Sequence, residues 1–135
     1  MQVEVSGRCA APPETVFGWI ADPHKHIRML PDGVRNARVL ENGDMACELS
    51  AMGMEEHMVV RIVETDAPRR LLEQRVDGRR RGRTEFRIEP DGAGSLVTIA
   101  CEIELPRLLA GLARGPVEHG LRSQLRNLDA LSAGA

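Results

Sequence analysis

The sequence predicts an α+β domain: a curved antiparallel sheet of about seven strands wrapped around a long C-terminal helix, with two short helices between strands 1 and 2. Three observations predict it. A strand-like alternation opens the chain and stops at Pro12-Pro13, where the helix-start phrase Glu14-Thr15-Val16-Phe17-Gly18-Trp19-Ile20 begins. About six short segments with turn residues between them then run from Gly33 to Leu105. A tail of roughly 29 residues follows, with leucines at helical spacing. A curved sheet that buries one face against a single helix tends to leave a cavity, and a cavity implies a small apolar guest.

The first strand spans residues 2–9, where Val3, Val5 and Cys9 alternate with Glu4, Ser6 and Arg8. Pro13-Glu14 suits a helix first turn: the missing N–H costs nothing there, and the acid faces the positive end of the dipole. Val16, Phe17 and Ile20 give this helix an apolar face, and Asp22-Pro23 ends it. Residues 24–30 add a further helical turn before Pro31-Asp32-Gly33.

Strands are expected near 34–41, 44–52, 55–65, 69–76, 82–89 and 95–105, a meander broken at Asn42-Gly43, Gly53, Ala67-Pro68, Asp77-Gly78 and Pro90-Asp91-Gly92. Thr84, Phe86 and Ile88 oppose Arg83, Glu85 and Arg87; Val97, Ile99, Cys101 and Ile103 oppose Thr98, Ala100 and Glu102; Met58, Val60 and Ile62 oppose His57, Val59 and Arg61. One face of the sheet is therefore apolar and the other wet. The register at 34–41 is ambiguous. In the tail, Leu105, Leu108, Leu109 and Leu112 form one stripe and Val117, Leu121, Leu125 and Leu128 another, on roughly opposite sides of a straight helix. Gly115-Pro116 falls between them, which predicts a bend or break near 113–116 that turns both stripes toward the sheet.

At 135 residues the chain reads as one domain, 1–135, with an ordinary hydrophobic fraction of 42%. A net charge of −2 gives no general attraction to nucleic acid, and no apolar run approaches membrane-spanning length. Cys9, Cys47 and Cys101 are far apart, odd in number and in phase with apolar neighbours, as expected of reduced thiols in a cytoplasmic protein. They have no metal spacing, and neither metal nor cofactor is expected. An assembly of identical chains is compatible with this composition.

Four of the six methionines, Met45, Met52, Met54 and Met58, fall close together and suit either core filling or a deformable pocket wall. His24 and His26 flank Lys25 in what reads as a solvated loop at the cavity mouth. His57 shares the wet parity of Arg61, and His119 points away from the second leucine stripe. The inward parity collects Cys47, Gln74, Thr84 and Glu56; Gln74 and Thr84 either orient a ligand or meet water near strand ends. No Ser/His/Asp order, phosphate loop or H-E-x-x-H is present, so no catalytic residue is named. Arg79-Arg80-Arg81-Gly82-Arg83 reads as an exposed hairpin tip.

The succession Ala11-Pro12-Pro13-Glu14-Thr15-Val16-Phe17, Ala21-Asp22-Pro23 and Leu30-Pro31-Asp32-Gly33-Val34, followed by the meander and long helix, resembles the SRPBCC superfamily. These are the START-like, pollen-allergen-like and polyketide cyclase/dehydrase proteins of the helix-grip fold. Where the family often has an aromatic before the Leu-Pro turn, His26-Ile27-Arg28-Met29 stands here. The resemblance implies a cavity between the sheet and the C-terminal helix. The expected function is binding of a small hydrophobic molecule, lipid-like or polyketide-like, by Met45, Cys47, Leu49, Met58, Val60, Gln74, Thr84, Phe86, Ile99 and Leu112. The alternatives are a cyclase/dehydrase-type enzyme acting on such a molecule and a protein-interaction module without a ligand.

Overall fold

The computed structural model describes residues 1–51 and 53–134. Met52, one of the four clustered methionines, lies outside the described residues. The elements in order are β1 (Gln2–Cys9), α1 (Pro13–Ala21), α2 (Pro23–His26), β2 (Val34–Val39), β3 (Met45–Ala51), β4 (Met54–Asp66), β5 (Arg70–Gly78), β6 (Gly82–Asp91), β7 (Gly94–Ile103) and α3 (Arg107–Ala133). The strands form one seven-stranded sheet in the order β1-β7-β6-β5-β4-β3-β2, with every neighbouring pair antiparallel. β2 to β7 are thus a plain meander, and β1 closes onto the last strand. This is the α+β helix-grip architecture.

Local chemistry sets the boundaries. Pro13 stands in the first turn of α1, and Asp22 caps α2 by accepting from the His24 N–H at 3.0 Å. The β2–β3 connection uses Asn42-Gly43, with Gly43 at φ +92°, a conformation that a side chain disfavours. β2 carries a register shift between Arg35 and Arg38, which accounts for the unclear alternation of that segment.

Cross-strand register explains where the core sits. Val5, Ile99, Phe86 and Leu71 stand opposite one another across β1, β7, β6 and β5, and all are buried. The second leucine stripe of α3 closes over this row, with Leu121, Leu125 and Leu128 buried among Val16, Ile20 and Met29. Two glycines allow close approach: Gly7 admits α3 to the sheet, and Gly94 admits β1 to β7. A Cβ on Gly7 would lie 2.7 Å from Leu125 Cδ2, and one on Gly94 would lie 2.4 Å from the Cys9 carbonyl oxygen. Because the second obstacle is backbone, Gly94→Ala is expected to cost about 2 kcal/mol, the scale of overpacking; urea unfolding checks this, and an unchanged midpoint would contradict it. Cys9 lies within the core. Burial, with Asp129 adding, pushes its thiol up to about 11, so it stays protonated.

In the tail the break, one of the two expected outcomes, is absent. α3 runs unbroken through Pro116 from Arg107 to Ala133. In an unbroken helix the two stripes stay on opposite sides, so only one can face the sheet. The second does; of the first, Leu108 is 89% and Leu112 70% exposed, while Leu105, ahead of the helix, and Leu109 are half-buried. No helix among the described residues is long and apolar enough to cross a membrane.

Candidate functional site

Successive rows on the concave sheet face change character along the strands. Beyond the solid row of Val5, Ile99, Phe86 and Leu71 lies a row of Val3, Cys101, Thr84, Glu73 and Ile62. Further on, Met45, Val60 and Arg75 stand opposite one another, and Ile103 faces Gly82. Cys47 with Met58, then Leu49 with Glu56, finish the face. Over these outer rows α3 does not close down, and a cavity of about 330 Å³ remains between sheet and helix. Its helix wall is Ala113, Pro116, Val117, Gly120, Leu121 and Gln124, and the Leu30–Val34 loop forms one end. That loop is held to α3: Asn127 Nδ2 donates to the Leu30 carbonyl at 3.0 Å, and the Asp32 N–H donates to Ser123 Oγ at 3.2 Å.

Six of the ten expected site residues, Met45, Cys47, Leu49, Met58, Val60 and Thr84, line this cavity. Four do not. Phe86 and Ile99 have the expected inward parity but lie one row too far back, inside the solid core. Leu112 is carried to solvent by the continuous helix. Gln74 is exposed on the outer face, between Arg61 of β4 and Arg83 of β6. The inward parity of β5 is Leu71, Glu73 and Arg75, because Leu71 must pair with Phe86 in the core.

The cavity is richer in ionisable groups than the sequence suggests. His26 is no loop residue in water. It is fully buried at the end of α2 and lines the cavity floor, its ring edge-on to Phe86 at 5.6 Å between centroids. Nδ1 lies 2.7 Å from the Ile20 carbonyl oxygen, which can only accept, so Nδ1 carries a hydrogen. Nε2 therefore faces Glu73 Oε2, 3.2 Å away, and neither atom has a hydrogen-bond partner elsewhere among the described residues. Burial alone would pull the imidazole pKa down; the Glu73 carboxylate and the Ile20 carbonyl outweigh it and hold the pKa above the usual histidine value.

At the mouth, Arg80 turns inward from the arginine run and sets Nε 3.5 Å from Glu56 Oε1. Arg79 and Arg81 are exposed as expected of a hairpin tip, but Arg80 is not, because the buried Glu56 carboxylate needs a partner. His24, His57 and His119 are exposed. Among the described residues no group of three His, Cys, Asp or Glu side chains is placed to hold a metal ion.

The family described as polyketide cyclase / dehydrase and lipid transport matches residues 1–133. The chain belongs to this family. Family membership supports binding of hydrophobic ligands in general terms. Among solved structures, the chain is similar to the protein TTHA0849 from Thermus thermophilus, at 21% identity and a TM-score of 0.81 over 99% of this chain and 98% of that one. A START superfamily protein from Mycobacterium smegmatis matches at 15% identity and a TM-score of 0.66, over 96% of this chain and 98% of that one. The protein Ara h 8.0201 matches at 12% identity and a TM-score of 0.71, over 100% and 99% of the two chains. At such identities the likeness establishes the fold. No curated protein matches the sequence.

Proposed function

We propose that this protein binds a small, largely apolar molecule in the cavity between the concave sheet and α3. One observation carries the reading: methionine, valine, leucine and cysteine side chains wall a space of about 330 Å³, within the range of small-ligand sites. Affinity would come from removing apolar ligand surface from water, about 25 cal/mol per Å² before the costs of association. Met45 and Met58 suit such a wall because their unbranched thioethers adapt to the guest's shape. Native mass spectrometry of the purified protein, beside its denatured mass, tests the reading. The expected result is an added mass lost on denaturation and absent from Met58→Trp, whose indole would fill the space. A bare native mass, together with no uptake of a neutral naphthyl probe, would sink it.

A second reading, a cyclase- or dehydrase-type reaction on the bound molecule, is favoured by the His26–Glu73 pair. Of the pair only Glu73 keeps side-chain surface, 13%, and it would be the group to exchange a proton with a guest, with His26 buried behind it. In that case His26→Gln would bind the guest and fail to turn it over. A wild-type protein that returns its guest unchanged would leave binding alone.

A further inference from the structure

One charged side chain lining the cavity lacks a partner, and it points to a chemical feature of the guest. Glu73 is already engaged, its Oε2 3.2 Å from His26 Nε2, while His26 Nδ1–H is committed to the Ile20 carbonyl. Glu56 and Arg80 neutralise each other at the mouth. Arg83, at the rim, is largely exposed and stands 3.6 Å from Glu102.

Arg75 has no such partner. It sits half-buried on the inward face of β5, opposite Val60, and makes neither an ion pair nor a hydrogen bond among the described residues. Its side chain occupies room that Gly82 leaves empty: a Cβ there would lie 3.4 Å from Arg75 Nε. It shares the cavity lining with the apolar side chains of Met45, Val60 and Ile103. A guanidinium in such surroundings keeps its charge and offers a planar set of donors that suits a carboxylate or other oxyanion.

We infer that the guest is an amphipathic monoanion, an apolar body with one carboxylate-like group seated against Arg75. This rests on the proposal that the cavity binds a ligand and adds the ligand's charge. The apolar walls would take the body, and the anion would supply the partner that Arg75 lacks. Glu73 lies two residues away on the same face of β5, so an anion placed away from Arg75 would meet a carboxylate instead.

Two fluorescent probes separate charge from bulk. Anilinonaphthalene sulfonate and N-phenylnaphthylamine share an aromatic body, and only the first carries an anion. The folded protein is expected to prefer the sulfonate. Arg75→Met should weaken sulfonate binding about tenfold or more, the scale of charge-assisted hydrogen bonds, and leave the neutral probe within about twofold. Arg69→Gln, the same loss of charge on an exposed turn away from the cavity, should change neither. Should the methionine variant fail to fold, Arg75→Gln carries the same comparison, and Arg75→Lys, which keeps the charge, should retain part of the preference for the sulfonate. Binding of both probes with equal affinity, or an equal effect of Arg75→Met on the two, overturns the anion seat and leaves the cavity a binding site. Failure of both probes to bind the folded protein overturns the binding proposal and this inference with it.

Discussion

Phe86→Ala is expected to lower the unfolding free energy by about 4 kcal/mol, the usual cost of deleting a fully buried phenylalanine ring. Phe86 has no exposed surface and stands in the row between Ile99 and Leu71, where neighbours on both sides hold the cavity open once the ring is gone. The ring also meets the His26 imidazole edge-on, so its loss loosens the floor of the cavity. Val60→Ala makes an instructive comparison. That side chain already borders empty space and has fewer contacts to lose, so its cost should be clearly smaller. Urea unfolding of both variants at one pH measures the difference through the midpoints at equal slope. Equal losses at the two positions would refute the division of the sheet face into a solid half and a hollow half.

Breaking the buried His26–Glu73 pair should cost nearly as much, and the cost should depend on pH. Glu73→Gln keeps the volume but removes the charge that favours the imidazolium, and leaving a buried ionic group without its partner costs about 3 kcal/mol. His26 has a pKa in the folded protein above its ordinary value near 6.5. Its stabilising contribution is therefore complete below that unfolded value and is lost as pH rises through the higher folded value. The gap in stability between wild type and Glu73→Gln should be widest near pH 6 and should narrow on the alkaline side. Glu73 is the acidic group facing the ring, and Arg75 shares the inward face of β5 with it. Denaturant unfolding across this range checks the slope. A gap that is constant with pH, or that widens with it, would show that the pair does not hold a proton as described.

The element order was legible because its signals are local. The alternation of Val97, Ile99, Cys101 and Ile103 fixes the inward face of β7, and Asn42-Gly43 fixes a hairpin, each within a few residues. The candidate site was legible where apolar neighbours phased the strand, which also placed Thr84 and Glu56 inward. Met45, Cys47, Met58 and Val60 could be placed in the cavity wall by parity alone. β5 could not be phased this way, because Leu71 and Leu72 are both apolar. Choosing Leu72 as inward brings Gln74 and Val76 with it, whereas Leu71 brings the charged Glu73 and Arg75. Hydrophobicity favours the first choice, and the structure adopts the second. A charged residue is tolerated inward when a distant element supplies its partner, and no periodicity records such a partner.

The two leucine stripes of the tail make the same distinction. By itself the sequence determined that two apolar stripes exist and that Gly115-Pro116 separates them. It also determined the meander, the short helices and the class of fold, since turn chemistry and alternation act between near neighbours. Only the tertiary structure decided that α3 stays continuous and spends its second stripe on the core, leaving Leu108 and Leu112 in water. It alone decided that His26 of α2 meets Glu73 of β5, and that Arg75 is left facing an open cavity. The reason is physical: the burial of a charge and the identity of its partner depend on desolvation and distance across the folded molecule, and neither is written in the local pattern.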